Sequence, residues 1–291
     1  MRHIVIIGSK GQLGTDLQPA LEGVRITGLA HADLEVCDLE RARGLLRGLK
    51  PDAVVNTSAY HKVDLCEDEP AATFAVNASG AYNLARLAAE LDYTLVHFSS
   101  DYVFDGGSRV PYREEDLARP ISVYGVSKLA GENLVRAYSP RHFVIRSTGL
   151  YGVAGASGKG GNFVETMIRL GKAGPVRVVD DQVMTPTATA DLARAVAALL
   201  AREGQPGVPY GLYHITSAGQ CSWYFFAKTI FAQCGMDVDL SPITTAQSGS
   251  KARRPAFSVL DHGAWRRAGF AELRPWQEAL ADYLRAKGHA R

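Results

Sequence analysis

Short runs of Val, Ile and Leu alternate with longer amphipathic segments along the first 150 residues. Runs at 3–8, 24–29, 52–58, 94–99 and 142–147 are short and rich in Val and Ile, and they read as strands apolar on both faces. Stretches at 12–21, 40–49, 73–91 and 124–138 carry apolar residues at helical spacing. Strands separated by helices predict a parallel sheet covered on both sides, and right-handed crossovers then give a doubly wound, Rossmann-like α/β fold. Such folds take ligands outside the carboxyl ends of the strands.

The pattern loosens after about residue 150. Five glycines fall between Gly152 and Gly161, which predicts a mobile loop. Helices at 162–170, 190–202, 222–234 and 276–286 follow, with strands at 176–179 and 211–216. The division predicted is a nucleotide-binding domain over 1–150, rejoined by about 175–205. Residues 151–291 form a smaller C-terminal α/β lobe for the substrate.

Composition narrows the class. The 291 residues are 46% hydrophobic and 21% charged, with 32 basic against 30 acidic side chains. That balance, with no block of like charge, gives no footprint for nucleic acid or a membrane surface. No apolar run approaches the ~20 residues of a membrane span. Strand-like sequence begins at His3, which leaves no room for a cleavable signal. Cys37, Cys66, Cys221 and Cys234 form no metal or disulfide spacing, and the eight histidines are scattered. The expectation is a cytoplasmic protein without a catalytic metal.

Gly8, Gly11 and Gly14 stand directly after the first strand and open the first helix. A tight turn, close approach to a pyrophosphate and a helix N-terminus facing an anion all favour glycine there. The segment Gly8 to Gly14, with Lys10, Gln12 and Leu13, is therefore the candidate dinucleotide loop. After the second strand, the acid that would bind the ribose 2′-hydroxyl of NAD is missing: the chain reads Leu29-Ala30-His31. Lys10 and His31 could instead meet a 2′-phosphate, so NADP(H) is favoured and NAD(H) stays open. Asp38 and Leu39 could approach the adenine, or Asp38 could cap a helix. Small residues at the third strand's end, Ser58 and Ala59 followed by Tyr60, would let a nicotinamide ribose lie close.

Tyr124 and Lys128 are four residues apart, which on a helix places both on one face. An ammonium beside a phenol favours the phenolate, so such a tyrosine can exchange a proton with a carbonyl oxygen near neutral pH. With 12 tyrosines in the chain the spacing alone is weak. Ser100, at the carboxyl end of the strand 94–99, strengthens it, since its hydroxyl could donate to the same oxygen. Asp101 follows directly.

In these motifs the sequence resembles the extended short-chain dehydrogenase/reductases, and more narrowly the dTDP-4-dehydrorhamnose reductase family. The resemblance runs through residues 8–14, VVNTSAYHKVDLCEDEP at 54–70, NA at 77–78, VHFSSDYVFDG at 96–106, VYGVSKLAGE at 123–132, IRSTGLYG at 145–152, NF at 162–163, DQVMTPT at 181–187 and RP at 254–255. It implies hydride transfer to the C4 ketone of a dTDP-4-keto-6-deoxy sugar. Tyr124 would supply the proton, Lys128 would hold the ribose and tune Tyr124, and Ser100 would polarise the ketone. Asp101, Asn162, Phe163 and Arg254 are the substrate-side candidates, with Arg254 for the diphosphate. Asn162 could equally be a helix cap and Phe163 a core residue. Tyr102 stands where dehydratases carry a second acid, so the resemblance implies reduction rather than dehydration. The family's RTSW stretch reads Arg146-Ser147-Thr148-Gly149-Leu150, and Met184 replaces a glycine. Both departures fall near the expected sugar pocket. The family resemblance leaves room for a homodimer. A nucleotide-sugar epimerase/reductase, and a non-catalytic NADP-binding regulatory subunit like the methionine adenosyltransferase β subunit, are the competing readings.

Overall fold

The structure, a computed structural model, describes residues 1–155 and 161–289. The expected glycine-rich loop at 152–161 therefore lies in part outside the described residues. The first half runs β1 (His3–Ile7), α1 (Gln12–Ala20), β2 (Arg25–Leu29), α2 (Leu39–Leu49) and β3 (Ala53–Asn56). Two short helices follow, α3 (Val63–Asp68) and α4 (Pro70–Phe74), and a π-turn at Ala75–Gly80 leads into α5 (Ala81–Leu91). Then come β4 (Thr94–Phe98), α6 (Val123–Tyr138) and β5 (His142–Arg146).

The sequence-based helix at 73–91 is thus interrupted. A π-turn admits an extra residue per turn and turns a side chain out of register. Here it brings Asn77, 1% exposed, toward the segment after β3.

The second half holds β6 (Leu150–Tyr151), α7 (Phe163–Ala173), β7 (Val176–Val179), β8 (Val183–Met184), β9 (Thr187–Ala188) and α8 (Thr189–Ala201). It ends with β10 (Gly211–His214), β11 (Cys221–Ser222), α9 (Trp223–Cys234), β12 (Leu240–Ile243), α10 (Gly263–Arg267) and α11 (Trp276–Ala286).

Six strands form one parallel sheet in the order β10-β5-β4-β3-β1-β2. Strands apolar on both faces need two covers. On one face Leu17 of α1, Val196 of α8 and Trp265 of the later helix α10 pack against Ile4, Val55 and Ile145. On the other, Leu46, Leu84 and Val135 from α2, α5 and α6 cover Val5, Val54 and Val144. The chain returns to this sheet late, through α8 and then β10 at the edge beside β5. A separate core gathers α7, α9 and α11 around Phe226 and fully buried Trp276, next to the two-stranded β7–β12 pair. Chain order reverses between β1 and β3, so the crevice at their carboxyl ends is the topological switch point.

Candidate active site

The glycine loop follows β1 at this switch point. Gly8 sits at φ +80°, and a Cβ there would lie 2.5 Å from Thr57 Oγ1 at the end of β3. A Cβ at Gly14 would lie 2.2 Å from the Gly8 carbonyl oxygen. The first glycine therefore lets two strand ends meet, and the third lets α1 sit on the loop. Gly11 begins α1 with no side-chain cap, so the first-turn N–H groups remain available to an anion. This cradle fits the pyrophosphate of a dinucleotide.

The neighbouring residues divide. Leu13 is buried beneath the loop, and Lys10 is exposed at its rim. His31 faces Glu35 at 3.4 Å, so it is engaged with an acid. Asp38 caps α2, accepting from the Arg41 N–H at 3.0 Å, and Leu39 packs into the core behind it. Gln12 turns toward the second lobe: its Oε1 accepts from the Gly152 N–H at 2.9 Å and from Asn162 Nδ2 at 3.2 Å.

At the end of β3, Asn56 Oδ1 accepts from the Ser58 N–H at 3.1 Å and the Ser58 hydroxyl at 2.6 Å. Ala59 and Tyr60 follow. Asn77 of the π-turn clamps Tyr60 on both sides of its peptide unit, accepting from its N–H at 2.8 Å and donating to its carbonyl at 3.0 Å. The same amide donates to Ser127 on α6 at 3.0 Å. Sequence reasoning gave Asn77 no role, because its partners Tyr60 and Ser127 lie far from it in the chain.

Two further glycines set α6. A Cβ at Gly125 would lie 2.2 Å from the Tyr102 carbonyl oxygen, and one at Gly131 equally close to that of Asn77. Helix α6 is thereby wedged between the π-turn and the 3-10 turn Asp101–Val103 that follows β4. Ser100 caps that turn, accepting from the Tyr102 N–H at 3.2 Å and donating to Asp101 Oδ1 at 2.9 Å. Tyr124 packs edge-on against Tyr102, ring centroids 5.6 Å apart, and the Ser100 hydroxyl faces its phenol. One turn on, Lys128 is buried and donates to the Phe98 carbonyl at 2.6 Å.

The electrostatics differ from the sequence expectation. Burial drives the Tyr124 pKa well up, with Asp101 and Tyr102 adding to it and Ser100 opposing. Burial also brings Lys128 down to about 8, while the Glu132 carboxylate holds it up. The ammonium is spent on Phe98, so in this arrangement desolvation outweighs it at the phenol. Tyr124 is accordingly protonated at neutral pH, the state a proton donor needs.

Ser100, Asp101 and Tyr124 open onto a cavity of about 920 Å³ together with Gln12, Asn162, Phe163 and Arg254. Lys128, buried one helical turn from Tyr124, is not among the residues lining it. Arg254 pairs with Asp64 at 3.0 Å through one nitrogen, and its Nη1 is buried with no partner. Asn162 is committed within the protein: Oδ1 caps α7 through Glu165 N, and Nδ2 reaches Gln12, Gly152 and Tyr283. Phe163 stacks on Phe226 at 5.4 Å and leans on Trp223 at 4.6 Å. Leu150 lines the cavity, whereas Met184 is buried in the second core. Only the first of the two sequence departures therefore reaches the pocket. Among the described residues, no group of His, Cys, Asp and Glu could hold a metal ion.

A glycine loop at the switch point, with a strand-end serine and the tyrosine of a helical Tyr-x-x-x-Lys on one cavity beside it, defines a short-chain dehydrogenase/reductase. Within it, the chain matches the family described as RmlD substrate binding domain over residues 1–288, and it belongs to that family. It is 38% identical to the spore coat polysaccharide biosynthesis protein SpsK of Bacillus subtilis across the whole chain and 99% of that protein. It is also 38% identical to a dTDP-4-dehydrorhamnose reductase of Streptomyces griseus, over 96% of this chain and 91% of the relative. The crystal structure of dTDP-4-dehydrorhamnose reductase from Bacillus anthracis in complex with NADP superposes with a TM-score of 0.92 at 35% identity, covering 98% of this chain and 100% of that one.

Proposed function

We propose that this protein reduces the C4 ketone of a dTDP-4-keto-6-deoxy sugar with NAD(P)H, NADPH favoured, as in dTDP-4-dehydrorhamnose reduction. The observation that carries the reading is the meeting of Ser100 and Tyr124 on one cavity beside the glycine loop, with Lys128 one turn along the same helix and held on the Phe98 carbonyl. Gly8, Gly11 and Gly14 would cradle the pyrophosphate, and Ser58, Ala59 and Tyr60 would flank the nicotinamide ribose. Bound there, the nicotinamide would supply the hydride for C4. Ser100 and Tyr124 direct their hydroxyls at the ketone oxygen, and Tyr124 gives it a proton as negative charge develops. Lys128 holds positive charge under the tyrosine and stabilises the tyrosinate that remains. Arg254, with one nitrogen free, would take the diphosphate, and Phe163 would form the apolar wall.

The division of labour follows: residues 1–150 bind the nucleotide and the lobe within 151–291 binds the sugar nucleotide. The reaction belongs in the cytoplasm, where reduced nicotinamide is regenerated. The test mixes the protein with NADPH or NADH and dTDP-4-keto-6-deoxy-L-mannose, follows loss of the nicotinamide absorbance, and identifies the product. Stoichiometric NADPH oxidation with formation of the 4-hydroxy sugar is expected. Sugar interconversion without net cofactor oxidation would establish an epimerase, and no conversion would leave a regulatory binding protein.

A further inference from the structure

The reaction above asks Ser100 for a hydrogen bond to the ketone oxygen, and a serine hydroxyl has one proton to give. In the structure that hydroxyl is 2.9 Å from Asp101 Oδ1, and its oxygen already accepts from the Tyr102 N–H. Beside an ionised Asp101, the serine proton is drawn to the carboxylate and away from a substrate.

The surroundings of Asp101 decide its state. The residue is 3% exposed. Its Oδ2 meets the Thr148 hydroxyl, from the segment after β5, at 2.8 Å, and Ser258 supplies a third hydroxyl. From its own turn comes the phenol of Tyr102 and from α6 that of Tyr124, both pushed up by burial. Arg254, in the same cavity wall, is paired with Asp64. Among the described residues no Lys, Arg or His forms an ion pair with Asp101. Hydroxyl partners can accept as well as donate, so they suit a carboxylic acid as readily as a carboxylate. A desolvated carboxylate without a cation is costly, and the group neutralises instead. Burial accordingly pushes the Asp101 pKa up, against the three hydroxyls and its own backbone N–H.

We propose that Asp101 is held as a neutral carboxylic acid and positions Ser100, donating to Ser100 Oγ so that the serine proton points at the ketone oxygen. The proposal rests on the reductase reading for its substrate. Asp101 keeps its proton throughout. The hydride and its electron pair go to C4, the proton on the new hydroxyl leaves Tyr124, and solvent restores it.

Asp101→Asn can donate from Nδ2 but does not titrate. The infrared difference spectrum of wild type minus Asp101→Asn, taken without substrate at neutral pH, is expected to contain the carbonyl stretch of a protonated carboxyl group. A carboxylate band alone overturns the proposal. In turnover, Asp101→Asn is expected to lower kcat by roughly 3- to 30-fold, since an amide is the weaker donor, and to abolish the alkaline fall that Asp101 contributes. In a Ser100→Ala background the same substitution is expected to change kcat by less than about 2-fold, because its effect passes through Ser100. A loss beyond about 1000-fold at every pH, or an equal effect without Ser100, overturns the positioning role. If Asp101→Asn does not fold, Thr148→Val decides. Removing the hydroxyl at Oδ2 should keep the protonated band to higher pH, and its disappearance at lower pH refutes the idea. Failure of the wild type to oxidise NADPH with the sugar counts against the reductase reading, while the infrared result still judges Asp101.

Discussion

Glu132→Gln tests the electrostatic frame under the active site. Glu132 and Arg146 are 0% and 3% exposed and pair at 2.9 and 2.7 Å through the Nε and Nη2 edge of the guanidinium. The substitution leaves shape and one acceptor oxygen in place but sets an amide N–H₂ against a guanidinium donor. Beyond that one oxygen, Arg146 keeps His214, which burial holds neutral, at 3.3 Å and the Phe104 ring at 5.0 Å. Breaking one side of a buried pair costs about 3–5 kcal/mol, because the surviving charge is uncompensated. For a chain of this length that is a fall in Tm of roughly 6–10 °C. Arg146→Met should cost less, since the carboxylate it strands still faces the Lys128 ammonium. The double variant should recover part of the loss, with a coupling energy of about 1–3 kcal/mol.

The same substitution carries a functional signature. Glu132 holds the Lys128 proton on against burial, so Glu132→Gln should shift the alkaline limb of turnover to lower pH. Thermal melts of the two single variants and the double, with pH–rate profiles of the folded ones, measure both effects. A Glu132→Gln protein within about 1 kcal/mol of wild type, or strict additivity of the two singles, would refute the reasoning.

Tyr124→Phe should fold and bind NADPH normally while losing roughly 10²–10⁴ in kcat, and near wild-type turnover would remove the tyrosine as acid. Lys128 ionises at about 8 folded against 10.5 unfolded, so between those values the unfolded chain binds more protons and wild-type stability rises with pH. Lys128→Met lacks that rise, and its stability relative to wild type, read from urea midpoints, should fall across the window; a constant difference would mean the ammonium is not desolvated. Lys10→Ala should lower the NADPH-over-NADH preference roughly 5- to 150-fold in cofactor titrations, with NADH binding unchanged; equal losses for both would mean Lys10 only shapes the loop.

What could be read from the chain followed how local the cause was. The sheet was legible because β1, β3 and β4 are buried at every position, and only a parallel sheet with two covers asks for that pattern. The glycine loop was legible for a similar reason: the contacts at Gly8 and Gly14 are with residues next to them or one strand away. The Tyr124–Lys128 pair needed only helical spacing. Long-range commitments of polar side chains were not legible. Asn162 spends its amide on Gln12 at a sequence distance of 150 and on Tyr283 at 121. Gln12 read as part of a phosphate loop because its neighbours are glycines, yet its carbonyl ties that loop to the second lobe. The π-turn was hidden because the apolar spacing on either side continues as a helix, and Asn77 reveals its purpose only once Tyr60 and Ser127 are in place. The same limit explains the acidity of Tyr124. Spacing gave it an ammonium neighbour, but its pKa depends on how completely the wedge formed through Gly125 and Gly131 excludes water, a property of three elements from separate parts of the chain.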